Sequence, residues 1–532
     1  MAGHVFVLGA RLEHLDCDAV VIPTDAYFTV EPHWAPALGI GDHAAGSDTW
    51  YDLVNHFRPG RWNQDRFGKA STHVHPKTPK PTWFVDVARY TSGTGRADEL
   101  AAARTDLDAL LTRLRLALEE MAAELTGQRD GDSGRSVPLI AVPTLGVAGG
   151  GFGQIRGEVI RQLLRTCQEF VAQNELDIAI AAFRGSDLAA FQAERRANDR
   201  SHGELGDDLT AARDLAECAR EGRLALFLGA GVSMSAGLPS WDGLLDELGR
   251  ALPDTPRLSD KASPLDRAEL LARLYAEEGT ARASLGQAVT DRISGHDRYG
   301  VAHALLAGLG VRHAVTTNYD QLYERAMADQ GHSALAVLPD ATTEPHEPWL
   351  LKMHGDVTRP ESIVLTRADF VGYQARSGPM GSVVQALLMT EHLLVVGSSM
   401  TDDNFLRLAH EVIAFNGSAR ELGTIITFQV DDGTKRLWKG RFRYLGVGGA
   451  GTTGSAQARR LAIFLDALAM YASPPLHLLD ERYSNLLSDR ARPVAAQARE
   501  LASAIHGLDP VDRTLFTRIA EALDAPLDTP HR

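Results

Sequence analysis

Cysteine is scarce: Cys17, Cys167 and Cys218 are the three in 532 residues. An odd, scattered trio builds neither a disulfide framework nor a four-ligand structural zinc site within one chain, so no metal is expected and the thiols read as packing residues in a reducing compartment. Long apolar runs are missing too. None reaches the roughly 18 residues of a membrane-spanning helix, and the N-terminal stretch lacks a basic region followed by an apolar core and a small-residue cleavage site. Cytoplasmic residence without a membrane partner is the expectation. Basic charge is in deficit: 54 Lys and Arg stand against 69 Asp and Glu, a formal charge of −15. That balance argues against a general polyanion binder, so nucleic acid is not an expected main partner. With 44% apolar and 23% charged residues, disordered, collagen-like and coiled-coil classes are also excluded.

At roughly 100–200 residues per domain, this length predicts two to four domains. Residues 4–8 and 19–22 are short apolar strand signals, and 101–124 is a long Ala/Leu pattern of helical period. A strand signal at 137–142, a glycine-rich turn, a helix near 156–173 and a strand at 177–183 follow. Such alternation predicts a mixed or parallel sheet with helices on its faces. From 185 to about 206 the chain turns polar and reads as a linker, with its basic cluster at 194–200 solvated. A helix at 208–220 opens a second α/β region, with strands expected at 224–228, 313–316, 349–353, 362–365, 392–396 and 424–429. Beyond Pro474 and Pro475, residues 477–532 read as helical.

The strand at 224–228 runs directly into GAGVSMSAGLPSW at 229–241. Glycines there let backbone N–H groups approach a pyrophosphate ahead of a helix N-terminus, although an isolated turn of this kind is equally a tight strand-to-helix connection. Three more segments change the weighting: TTNYD at 316–320, KMHGD at 352–356 and VGSSMTD at 396–402. Together, in this order, they resemble the motifs of sirtuins, and specifically of bacterial sirtuin-like NAD hydrolases of the antiphage-defence type. The resemblance spans about residues 206 to 472 and implies a Rossmann-type parallel-sheet domain.

By that resemblance Asn318 and His354 are the essential catalytic pair. Gly229, Ala230, Gly231, Ser233, Asp320, Gly397, Ser398, Ser399 and Asp402 are the expected NAD-binding residues. The residue types suit the chemistry. Breaking the nicotinamide–ribose bond develops oxocarbenium character, so the site must orient the carboxamide, place a water and tolerate transient charge. An Asn amide can position water or a ribose hydroxyl, an Asp can hold carboxamide or ribose, and a His titrates near the operating pH. The competing readings are structural: Asn318 and Asp320 as turn formers, and Ser398 and Ser399 as caps of a helix beginning near Asp402. Thr366 and Asp369 have capping-box spacing and are assigned to structure. Deacylating sirtuins carry two Cys-x-x-Cys pairs holding zinc; none exists here, which turns the expectation from deacylation to NAD hydrolysis.

Upstream, PTLGVAGGGFG at 143–153 is a second phosphate-cradle candidate between strand and helix. With DAVVIPT at 18–24 it resembles a macro domain, a fold that binds ADP-ribose. His73 and His75 share a strand face at a spacing compatible with a metal, but no third ligand accompanies them. The expected architecture is thus α/β throughout: a macro-like nucleotide-binding or sensor domain at 1–205, a sirtuin-like NAD-binding catalytic domain at 206–472, and a helical tail at 473–532 suited to oligomerisation. The expected function is an NAD glycohydrolase releasing nicotinamide and ADP-ribose or a cyclised product. The defence resemblance implies NAD depletion under restraint by a regulatory domain, a homo-oligomer or a companion defence protein, and two phosphate-cradle turns in one chain point to an ADP-ribose-like activator at the N-terminal domain. The alternatives are a non-catalytic nucleotide sensor or scaffold, and an ADP-ribosyl transferase or deacylase.

Overall fold

Short β-branched runs bounded by turn residues become strands, and the Ala/Leu-rich stretches between them become the helices that cover the sheets. The computed structural model describes residues 2–40, 50–71, 79–94, 96–126, 134–198, 202–252, 262–277, 284–333, 335–344, 347–400, 402–417, 420–448 and 454–509. It divides into two units, one formed by Met1–Glu204 with Ser473–Arg532 and the other by Leu205–Ala472. His73 and His75 lie outside the described residues.

The first unit contains β1 (Val5–Gly9), β2 (Ala19–Thr24), β3 (Phe67–Lys69), β4 (Thr82–Asp86), β5 (Leu139–Pro143) and β6 (Asp177–Ala182). They form one sheet in the order β1-β6-β5-β2-β4-β3, parallel except for the antiparallel edge pair β3–β4. Helix Arg96–Thr126 buries Leu107, Leu110, Leu114, Leu118 and Met121, one face at three- and four-residue spacing. Each such fully buried side chain contributes about 1.5–3 kcal/mol. The glycine-rich turn folds on itself: Phe152 N–H donates to Gly146 O at 3.2 Å and Arg89 N–H to Gly150 O at 3.0 Å. The carbonyls of Gly146 and Gly150 are therefore already engaged.

One expectation fails in this unit. The stretch read as a linker is helix Gly185–Ala197, with Ala189, Ala190 and Phe191 in the core. Arg195, expected in solvent, is 1% exposed and donates to Gln192 Oε1 at 3.0 Å. The polar composition concealed an apolar face only one turn long. The C-terminal segment, with 3-10 turns Leu476–Leu479 and Glu481–Leu486 and helix Ala491–His506, belongs to this same unit. Tyr483 is fully buried and donates to Asp187 Oδ1 at 2.8 Å, beside a two-pronged Arg156–Asp187 ion pair of 2.6 and 2.5 Å. Burial also holds the Tyr483 phenol above its ordinary range.

The second unit contains β7 (Leu224–Leu228), β8 (His313–Thr316), β9 (Ala336–Leu338), β10 (Trp349–Lys352), β11 (His392–Val396), β12 (Gly423–Thr427) and β13 (Phe442–Gly446). All pair in parallel, in the order β13-β12-β11-β7-β8-β10-β9. Strand order reverses between β7 and β11, and in open parallel sheets the crevice beyond the carboxyl ends at such a point is where ligands bind. The strand expected at 362–365 is instead a 3-10 turn, Pro360–Ser362, followed by extended chain. Val364 N–H makes a single bond to His354 O at 2.9 Å there. Thr366 and Asp369 do form the capping box, opening helix Arg367–Thr390. The stretch Gly454–Leu479 is apolar and long enough to cross a membrane, yet 72% of its apolar window is buried inside the fold, as in a core helix.

Candidate active site

The four site motifs of the second unit lie at the carboxyl ends of parallel strands: 229–233 after β7, 316–320 at β8, 353–356 after β10, and 397–400 with Asp402 after β11. The sheet itself thus collects them at one edge. Gly397 stands at φ +72°, where a side chain is strained, and a Cβ there would lie 2.5 Å from Val232 N. A Cβ on Gly229 or Gly231 would lie 2.5 or 2.8 Å from Gly397 backbone atoms, and Gly231 N–H donates to Gly397 O at 2.9 Å. The glycines proposed for a pyrophosphate therefore first serve close contact between two loops. Ala230 is exposed beside them.

Asn318 donates through Nδ2 to Gly229 O at 3.2 Å and to Ser233 Oγ at 3.0 Å. Ser233, buried on the short helix Ala230–Met234, donates to Asp320 Oδ2 at 2.8 Å and lies 3.3 Å from His303 Nε2. Asp320 also accepts from Leu322 N–H at 3.0 Å, so both of its oxygens are occupied. Burial pushes His303 down to about 4, against the opposing pull of Asp320. Beside these residues a cavity of about 10 Å³, lined among others by Thr316, Asn318, Asp320 and His303, has the room of about one water.

His354 is 1% exposed. Phe370, Tyr373 and Trp241 surround its ring at centroid distances of 5.2, 6.2 and 6.5 Å. Its Nε2 lies 3.1 Å from Asp402 Oδ2. Burial works against ionisation of Asp402, but the His354 imidazole and the N–H groups of Phe405 and Asn404 hold its carboxyl below the ordinary value. Asp402 is itself the N-cap of helix Asp403–Asn416, accepting from Phe405 N–H at 2.9 Å. Helix capping therefore falls to Asp402 rather than to the serines. Ser398 Oγ accepts from Met400 N–H at 3.3 Å within the loop, and Ser399 is exposed.

One residue in these motifs was passed over in sequence. Lys352 is 2% exposed, and its ammonium donates to Tyr319 O at 3.1 Å, Asp320 O at 2.6 Å and Glu324 Oε1 at 2.9 Å, and pairs with Asp356 Oδ2 at 2.7 Å. Burial opposes its charge, but Glu324 and Asp356 outweigh it and raise the ammonium above its usual range. The loop of Asn318 is thereby tied to the loop of His354. Gly355 follows at φ +91°, where a Cβ would lie 2.2 Å from Ser362 O, so the turn after His354 demands glycine.

Buried polar atoms normally have partners. Asn318 Oδ1, His354 Nδ1, Trp241 Nε1, His303 Nδ1, Tyr323 Oη and Asn404 Nδ2 have no hydrogen-bond partner among the described residues. Their concentration around these strand ends marks a polar site that expects a bound group.

A family model described as a SIR2-like domain matches residues 312–442, a span that holds Asn318, His354 and Asp402. The chain is similar to the protein named NAD(+) hydrolase ThsA of Bacillus cereus (strain MSX-D12), 32% identical over 198 residues, 36% of this chain and 40% of that one. The NAD(+) hydrolase ThsA of Enterococcus faecium is 30% identical over 216 residues, 39% and 43% of the two chains. Defense-associated sirtuin 2 of Bacillus subtilis is 24% identical over 205 residues, 38% and 20%. The chain thus spans about two fifths of the length of the curated hydrolases it matches.

Proposed function

We propose that this chain hydrolyses NAD at the nicotinamide–ribose bond, with Asn318 and His354 as the catalytic pair. The observation that carries the reading is that Asn318 Oδ1 and His354 Nδ1, each buried without a hydrogen-bond partner among the described residues, follow the neighbouring strands β8 and β10 of one parallel sheet. Names of relatives support the same reading. In the reaction the C1′–nitrogen bond breaks, its electron pair leaves with neutral nicotinamide, and water oxygen bonds to the ribose carbon. The water proton passes to His354, whose imidazolium the adjacent Asp402 carboxylate stabilises. Ribose and pyrophosphate contacts fall to Gly229, Ala230 and Gly231 and to the loop of Gly397–Ser399, with Asp320 completing the set. Linear ADP-ribose is the product when water attacks, and a cyclised form when the nucleotide's own adenine does.

The burial of His354 beneath Trp241 and Phe370 supports restraint, because a dinucleotide reaches it only after that cover moves. We place the chain among regulated, cytoplasmic antiviral effectors that deplete NAD, acting as a homo-oligomer or with a companion protein. An ADP-ribose-like activator at the macro-like first unit is the corresponding switch. A cavity of about 580 Å³ lined by Gln154, Gly93 and Arg482 among others has the size of a small-molecule site. The test is nicotinamide release from NAD by the full chain, with and without ADP-ribose and its cyclic isomers, beside Asn318→Ala and His354→Ala. Release abolished in both variants is expected; undiminished release from both sinks the reading.

A further inference from the structure

The hydrogen-bond network behind Asn318 has a direction that side-chain chemistry fixes. Gly229 O is a carbonyl and only accepts, so the Asn318 atom 3.2 Å from it is the amide nitrogen. The same nitrogen lies 3.0 Å from Ser233 Oγ. Ser233 has one hydroxyl proton, and Asp320 Oδ2, a carboxylate oxygen at 2.8 Å, claims it. The Ser233 lone pairs are then left to accept from Asn318 Nδ2 and from His303 Nε2 at 3.3 Å. That arrangement calls for a proton on His303 Nε2, and burial, which pushes the ring down to about 4 against Asp320 and a Gly300 backbone contact, keeps it neutral. A reversed Asn318 amide would set its oxygen against two acceptors, Gly229 O and a hydroxyl whose proton is already committed. Oδ1 is thus turned away from the network, and it has no partner among the described residues.

We infer that Ser233 and His303 are positioning residues that lock the Asn318 amide with its oxygen toward the reacting centre, so that Asn318 works as an acceptor for an O–H group. That group is a hydroxyl of the nicotinamide ribose or the attacking water. The inference rests on the reading that this site hydrolyses NAD, and it adds the polarity of Asn318 and the two residues that set it. Neither touches the substrate. Each acts through the next, His303 on Ser233 and Ser233 on Asn318.

The test uses the full chain and compares wild type with Ser233→Ala, His303→Leu, His303→Gln and Asn318→Ala. Nicotinamide release is followed from NAD and from analogues lacking the 2′- or the 3′-hydroxyl of the nicotinamide ribose. Loss of one hydrogen bond in the chain is expected to lower kcat/KM about ten- to a hundredfold in Ser233→Ala and His303→Leu. His303→Gln, whose side-chain N–H replaces Nε2–H, recovers most of it. Should Asn318 hold a ribose hydroxyl, the loss sits mainly in KM and disappears with the analogue lacking that hydroxyl, as in a double-mutant cycle. Should it hold the water, the loss sits in kcat and persists with both analogues. In parallel, the ring 15N signals of His303, assigned by their absence in His303→Gln, are expected to show a neutral ring protonated on Nε2 at pH 7; this readout decides even where turnover or a variant's folding fails. Wild-type kcat/KM in Ser233→Ala and His303→Leu beside an inactive Asn318→Ala, or a proton on Nδ1, would overturn the inference while the hydrolase reading stands. Full activity in Asn318→Ala would instead remove that reading.

Discussion

Lys352 shows how one buried charge organises two loops. Its ammonium neutralises Glu324 and Asp356 and ties down the carbonyls of Tyr319 and Asp320, so Lys352→Met leaves the Glu324 and Asp356 carboxylates without their cation. Breaking a buried pair in this way costs about 3–5 kcal/mol, and the urea midpoint of the variant is expected to fall accordingly; an unchanged midpoint contradicts the role. His303 supplies a pH signature. Its folded pKa of about 4 lies below the unfolded value of about 6.5, so the unfolded chain binds the extra proton between those pH values. Stability contributed by neutral His303 is complete above about 6.5 and is lost as pH falls toward 4. In His303→Leu the acid-side decline in stability over that window is expected to be shallower, by up to one proton taken up on unfolding; an unchanged slope contradicts the assignment. At this scale the sequence revealed residue types but not directions. The motif spacing singled out Asn318, His354 and Asp402, whereas the His354–Asp402 pairing and the buried His303 depend on which strand ends the fold brings together. Lys352 was legible only as a motif letter, since its value lies in four partners from three segments.

Loops after neighbouring strands meet at glycines, and that contact is the most exacting feature among the elements. Gly397→Ala places a side chain at φ +72° and 2.5 Å from Val232 N, which costs more than the roughly 1 kcal/mol of an incompatible Gly-to-Ala change. A lower melting temperature together with lost turnover is expected, and a variant equal to wild type in both contradicts the packing account. Strands β1, β2, β5, β6, β7, β8, β10, β11 and β12 were readable because continuous apolar runs are what a doubly covered parallel sheet requires. Four were not, among them interior β4, whose five residues are all buried. β13 alternates buried and exposed residues in the run FRYLG, and β3 and β9 are only three residues long. Helix Gly185–Ala197 failed for the opposite reason, since its charged residues hid the apolar turn that docks it.

At the scale of the whole molecule, the first unit is discontinuous in sequence, built from Met1–Glu204 and the segment from Ser473 onward. Tyr483 fills a slot beside Arg156 and Asp187 and belongs to the same core as β1 and β6. Tyr483→Ala is expected to destabilise this unit by about 3–5 kcal/mol, as large-to-small aromatic changes do, visible as an earlier unfolding transition; a change under about 1 kcal/mol contradicts the contribution of the C-terminal segment. A fragment ending at 205 lacks this plug, so activator binding belongs with the full chain. The scarcity of cysteine gains its meaning at this scale, because a site without zinc-binding pairs is read through Asn318, His354 and their partners alone. The most direct measurement of that account is nicotinamide release from NAD by the full chain, with ADP-ribose and its cyclic isomers as activators, beside Asn318→Ala and His354→Ala. The account predicts release by wild type under at least one of these conditions and loss of at least about a hundredfold in both variants. No release by wild type under any of them, or equal release by wild type and both variants, would contradict it.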